Sequence, residues 1–135
     1  MKRVLLLAMA VLLVGGLAIA KTVKIPITPA DFKDLKGTWT GERLTSGEGS
    51  QRSDLIFKND NLPLLGDLTN YYKLDAPKTW PCRGRIEDGR LKLDCWNKTV
   101  ILDLGLSKKD DGSMELSGTM QGAGLSVPVF LKKAK

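Results

Sequence analysis

The sequence predicts an all-β protein: an eight-stranded antiparallel up-and-down meander closing into a barrel, with a short helical turn before the first strand. Three features lead to that fold class. Residues 82–95, CRGRIEDGRLKLDC, have the chemistry of a tight hairpin, and the segments after them prolong its apolar face. Three more strand-like segments precede it, in a chain long enough for one core.

The hairpin comes first because its turn fixes its register. Asp88-Gly89 suits a type I′ turn, whose two central residues need positive φ. Glu87 then faces Arg90, Ile86 faces Leu91, Gly84 faces Leu93 and Cys82 faces Cys95. Counting outward from the closing pair puts the cysteines on a non-hydrogen-bonded rung, where Cα atoms lie about 4.5 Å apart, within disulfide reach. One face is Cys82, Gly84, Ile86, Leu91, Leu93 and Cys95. The other is Arg83, Arg85, Glu87, Arg90, Lys92 and Asp94, so one side is buried and one wet. The bridge closes a short loop, worth about 3 kcal/mol or less in chain entropy.

Downstream the pattern continues. A turn at Asn97-Lys98 pairs Cys95 with Val100, Leu93 with Leu102 and Leu91 with Leu104, and sets Lys92 opposite Asp103 on the wet face. After the loop Ser107 to Gly112, residues Met114, Leu116, Gly118 and Met120 alternate against Glu115, Ser117 and Thr119. A turn over Gln121 to Gly124 would place Leu125, Val127, Val129 and Leu131 opposite Met120, Gly118, Leu116 and Met114. This makes five successive strands with one apolar face.

Upstream, residues 21–36 carry two prolines and read as an extended lead-in ending in a helical turn near Asp31 to Leu35. Residues 37–135 form the barrel domain. Gly37 to Leu44 is rich in Thr and contains Trp39, which suits a strand. The Gly- and Ser-rich stretch Thr45 to Gln51 turns the chain into a strand at about Arg52 to Lys58. Asn59 to Pro63 is a turn cluster before a strand at about Leu64 to Leu74, and Asp75 to Lys78 breaks the chain again ahead of Trp80. Eight short strands can close and remove their edges, although an open meander or a two-sheet sandwich fits the same alternation. Pro128 has no N–H, which places it at an edge or seam.

Residues 1–20 open with Met1-Lys2-Arg3, continue through an apolar run from Val4 to Val14 and end in Ala18-Ile19-Ala20. This is a secretory signal peptide pattern with cleavage expected after Ala20, leaving no stable membrane span. A periplasmic or secreted location follows, and it favours oxidation of the two cysteines. The chain carries +6, of which Lys2 and Arg3 would leave with the signal. The remaining basic residues alternate with acids, and no aromatic-plus-basic nucleic-acid signature is present.

The stretch Asp31-Phe32-Lys33-Asp34-Leu35-Lys36-Gly37-Thr38-Trp39 resembles the opening of lipocalins and their calycin relatives, where a helical turn precedes a Gly-x-Trp and the Trp closes the barrel floor. The resemblance covers about ten residues plus the strand count. It implies a floor role for Gly37 and Trp39 and no particular ligand. The sequence departs from the family in having no Arg after the last strand to pack over the Trp; Lys132 and Lys133 stand there instead.

Candidate chemistry is limited. The chain has no histidine, and its only thiols are expected to be bonded to each other, so neither catalytic residues, metal ligands nor a cofactor site are assigned. Asn59-Asp60-Asn61 and Asp110-Asp111-Gly112 offer oxygens without full calcium-loop spacing and read as turns, as does the glycosylation-type Asn97-Lys98-Thr99. The leading expectation is a binding barrel for a small apolar or amphipathic molecule, with Trp39, Arg43, Phe57, Tyr72 and Trp80 as candidate ligand residues. Arg43 shares its alternation face with Trp39 and Gly41; if that face is inward, it suits an anionic head group near one mouth. Strands of about seven residues enclose little space, which Leu, Met and Val side chains can fill; the inward glycines Gly41, Gly84 and Gly118 are the features that could leave a void. The competing reading is a protein-binding module, such as an exported hydrolase inhibitor or an envelope accessory factor, with Trp96 on the hairpin's outer face as the partner surface.

Overall fold

The computed structural model describes residues 22–45 and 47–135; the expected signal peptide lies outside them. Strand β1 (Thr22–Ile25) leads to a 3-10 turn (Pro29–Asp31) and helix α1 (Phe32–Leu35). Then follow β2 (Gly37–Thr45), β3 (Gly49–Phe57), β4 (Leu64–Asn70), β5 (Lys78–Glu87), β6 (Arg90–Cys95), β7 (Val100–Lys109), β8 (Met114–Gly122) and β9 (Leu125–Lys133). Each of β2 to β8 pairs antiparallel with the strand that follows it, and β9 returns to β2, so the eight strands close into a barrel. Strand β1, in the segment expected as an extended lead-in, lies along β7 beyond the β5–β6 turn, pairing Ile25 with Leu106.

The hairpin has the expected register from Glu87↔Arg90 to Cys82↔Cys95, and the two cysteines form a disulfide. Both turn residues take positive φ, Asp88 at 53° and Gly89 at 74°. The β6–β7 pairs also fall as expected, and Lys92 Nζ meets the Asp103 carboxylate at 2.6 Å.

Alternation fills the interior with leucines: Leu55, Leu64, Leu68, Leu93, Leu102 and Leu116 are fully buried. The described core has one end sealed by α1. Trp39 is buried there, and its indole N–H donates to the Leu35 carbonyl at 2.8 Å.

Four expectations need correction. The β8–β9 register is two residues away from that expected: Val127 pairs with Met120 and Leu131 with Leu116. Ala123 and Gly124, with φ of 51° and 78°, make a two-residue turn where a four-residue one was expected. A shift of two keeps every side chain on its face, so alternation could not detect it. Strand β4 ends at Asn70, and Leu74 lies in the loop that follows with its side chain exposed. The inward glycines leave no void. A Cβ on Gly41 would lie 1.9 Å from the Phe130 carbonyl oxygen and one on Gly118 1.9 Å from that of Asp103, so both permit close strand approach, while the space beside Gly84 is taken by Leu93, Leu64 and Leu91. At the β2–β9 seam, the pairs among described residues run from Trp39↔Lys133 to Arg43↔Val129 and stop beside Pro128, which has no N–H to continue the ladder.

Candidate functional site

The barrel end opposite α1 is open. Its rim consists of the β2–β3, β4–β5, β6–β7 and β8–β9 connections. Within it is a pocket of about 360 Å³ whose apolar walls include Trp80, Trp96, Val100, Met120, Leu125 and Val127, with Arg43 and Asn70 deeper in. That volume is at the small end of ligand pockets.

Arg43 is on the inward face of β2, in the same alternation as Trp39, and only 3% exposed. Its guanidinium is held by four hydrogen bonds. One terminal nitrogen donates to the Arg52 carbonyl (2.6 Å) and the Ser53 hydroxyl (2.9 Å); the other donates to Gln51 Oε1 (2.8 Å) and the Tyr71 carbonyl (2.8 Å). All four acceptors are neutral. Among the described residues Arg43 makes no salt bridge; the nearest acid in this network, Glu48, is reached only through the side-chain amide of Gln51. Burial lowers the Arg43 pKa, with Tyr72 and Glu48 partly offsetting it. The guanidinium remains charged at neutral pH because an arginine starts so far above it. A cation without a contacting carboxylate therefore sits at the inner end of an apolar pocket.

Tyr72 covers this cation, with the Arg43 carbon 4.9 Å from its ring centre. Behind Arg43, the Ser53 hydroxyl donates to Asn70 Oδ1 at 2.7 Å, and the Asn70 amide reaches Met120 Sδ at 3.5 Å. Gln51, Ser53 and Asn70 were not singled out in the sequence. Their signal was parity: Gln51 and Ser53 alternate in step with Leu55 and Phe57, and Asn70 with Leu68.

Trp80 and Trp96 stack with ring centres 5.9 Å apart and planes 16° from parallel. The sequence placed Trp96 on the outer face, yet it forms the lip of the pocket. The cause is the backbone: Trp96, Asn97 and Lys98 all have positive φ (53°, 52° and 70°), which interrupts strand alternation. Such a conformation costs about 1–2 kcal/mol per non-glycine residue. It is anchored by the Trp96 N–H donating to the Pro81 carbonyl (3.1 Å) and the Thr99 N–H donating to that of Trp96 (3.0 Å), one residue beyond the disulfide.

Of the five candidate ligand residues, the fold thus gathers Arg43, Tyr72 and Trp80 at the mouth and adds Trp96 to them. Trp39 and Phe57 are buried at the closed end and do not line the pocket. The acidic turns are engaged locally. Asn59 Oδ1 accepts from the Leu65 N–H and its amide donates to the Pro63 carbonyl, while Asp111 accepts from the N–H and hydroxyl of Ser113. Among the described residues no group of three or more acidic or thiol side chains is placed to hold a metal ion. Comparison with protein-family models, curated proteins and solved structures finds no match for the chain.

Proposed function

We propose that the mouth pocket binds a small amphipathic molecule, with its anionic or strongly polar head toward Arg43 and its apolar part against Trp80, Trp96 and Leu125. The observation that carries this reading is the buried Arg43 guanidinium, held by neutral acceptors at the inner end of an apolar, solvent-open pocket. Both terminal nitrogens are engaged by the protein, so the cation acts on a ligand mainly through its field, which the low-dielectric surroundings leave poorly screened. The disulfide and the signal-like N-terminus support an exported protein. The closed eight-stranded barrel, with Gly37 and Trp39 at its sealed end and Lys133 over the indole, supports kinship with the lipocalin-like calycin barrels.

Native mass spectrometry of protein purified from its source tests occupancy. Titration of stripped protein with decanoate, decanol and decylamine, followed by tryptophan emission, tests the chemistry. Decanoate should bind tightest and decylamine weakest. A uniformly ligand-free native mass with no saturable response to any of the three probes sinks the reading.

A further inference from the structure

The tips around the open mouth differ from those at the sealed end. Each of three consecutive mouth connections presents a large apolar side chain to solvent: Leu74 between β4 and β5 (96% exposed), Trp96 between β6 and β7 (52%) and Leu125 after the β8–β9 turn (64%). Lysines stand beside them: Lys73 precedes Leu74, Lys98 follows Trp96 in the same turn, and exposed Lys78 begins β5. Tyr72 and Trp80 complete the belt just inside. The carboxylates on these connections are Glu48, which accepts from Gln51, and Asp75. At the other end, the turns Asp88-Gly89 and 110–113 are polar, and Leu62 is the exposed large apolar residue of the 58–63 turn.

From this we propose that the open end of the barrel docks onto a lipid surface carrying anionic head groups, with Leu74, Trp96 and Leu125 entering the interfacial layer and Lys73, Lys78 and Lys98 at head-group level. Tryptophan, tyrosine and lysine around apolar tips are the residue types that settle at such an interface. The shape favours lipid over a protein partner. A protein interface is built on a contiguous, well-packed patch, whereas these side chains stand on three different connections around a hole, Trp96 and Leu125 on its lip and Leu74 outside it. A fluid layer conforms to separate projections. The lysines outnumber the carboxylates on the same tips, and buried Arg43 adds a further positive charge behind them, which complements an anionic surface. The inference goes beyond the ligand reading, since docking at the rim does not require the pocket to be filled.

The test uses the protein as its source makes it, with the N-terminus read by intact mass. It is mixed with vesicles of phosphatidylcholine, of phosphatidylcholine with phosphatidylglycerol, and of the latter carrying brominated acyl chains. Expected results are sedimentation with both kinds of vesicle, tighter with the anionic ones, and a blue-shifted tryptophan emission that the brominated chains quench. Leu74→Asp combined with Leu125→Asp should lower partitioning by about tenfold or more. Lys73→Glu combined with Lys98→Glu should abolish the preference for anionic vesicles; both variants should keep the wild-type far-UV circular dichroism. Each of these results overturns the proposal: no sedimentation with either vesicle, or partitioning unchanged in the Leu74/Leu125 variant, which shares the wild-type N-terminus. So does a stoichiometric complex with a soluble protein that buries Trp96 while vesicles leave its emission unchanged.

Discussion

The Lys133 ammonium lies 5.3 Å from the centre of the Trp39 ring, joining the last barrel strand to the first. It also donates to the carbonyls of Asp34 and Lys36, the latter at 2.9 Å, where α1 ends and its last carbonyls lack partners within the helix. Burial pulls the Lys133 pKa below the usual lysine value, and Asp34 partly offsets this. One cation thus covers the indole and fastens the plug that seals this end.

Replacing Lys133 with Met should therefore destabilise the barrel by about 1–3 kcal/mol, from the lost cation–π contact and the carbonyls left without their donor. Lys133→Arg should recover much of that loss. Urea unfolding followed by far-UV circular dichroism decides it. A Met variant as stable as wild type would mean that the Trp39–Leu35 hydrogen bond and the buried Phe32 and Leu35 side chains hold the plug without Lys133.

Arg43→Met removes a buried donor from four acceptors at once. The Gln51 and Ser53 side chains and the Arg52 and Tyr71 carbonyls would all lose a partner, and a flexible apolar chain cannot replace the planar fork. A loss of about 2–4 kcal/mol is expected, and Arg43→Lys should restore only part of it. The urea midpoint and slope report this. A Lys variant equal to wild type would show that charge alone, rather than the fork, organises the mouth.

Acid should weaken the fold through Asp54 on the outer wall. Burial alone would raise its pKa, but the bonds from Arg52, Thr40 and Tyr71 outweigh that and hold it below the usual carboxylate value. A folded pKa below the unfolded one means that the stabilisation is complete above the unfolded value, about pH 4, and is lost as pH falls through the folded one. Asp103, between Lys92 and Arg90, acts in the same direction. Unfolding free energies measured from neutral pH downward should fall below about pH 4. Asp54→Asn should flatten the slope, and an unchanged slope would remove Asp54 as a cause.

Local chemistry made the hairpin legible: Asp88-Gly89 fixes one register, and the cysteines meet only in that register. The β8–β9 pairing was harder to read because Gln121-Gly122-Ala123-Gly124 allows two turns, and the choice between them preserves every face. Strand β1 has only four residues, and its pairing with β7 exists only once the β5–β6 turn leaves that edge open. At the mouth, the parity of Arg43 was readable but its burial was not. The residues that make burial tolerable, Gln51, Ser53 and Asn70, share the parity of the inward Leu55, Phe57 and Leu68, but as polar side chains they carry no hydrophobic signal for that face. Trp96 escaped because alternation assumes a strand backbone, and three successive positive φ values interrupt it.

Gly41 and Gly84 both lie on the inner wall, yet adding a methyl group to each should have different consequences. A Cβ on Gly41 would fall 1.9 Å from the Phe130 oxygen and 2.9 Å from Leu131 Cα, both backbone atoms of the seam strand β9. Neither can yield without separating β2 from β9 where the seam has few pairs to spare, so Gly41→Ala should cost about 1–3 kcal/mol or more. A Cβ on Gly84 would meet Leu93 Cδ2 at 2.9 Å, the end of a side chain that can turn aside, with Leu64 and Leu91 at 3.3 Å. Gly84→Ala should cost less than about 1.5 kcal/mol, as a core that can repack allows. Hydrogen exchange separates the mechanisms beyond the urea midpoints. In Gly41→Ala, amides of β2 and β9 should lose protection before those of β5 and β6, while Gly84→Ala should leave that order unchanged. Equal destabilisation with uniform loss of protection in both variants would contradict a seam held closed by the bare Gly41 backbone.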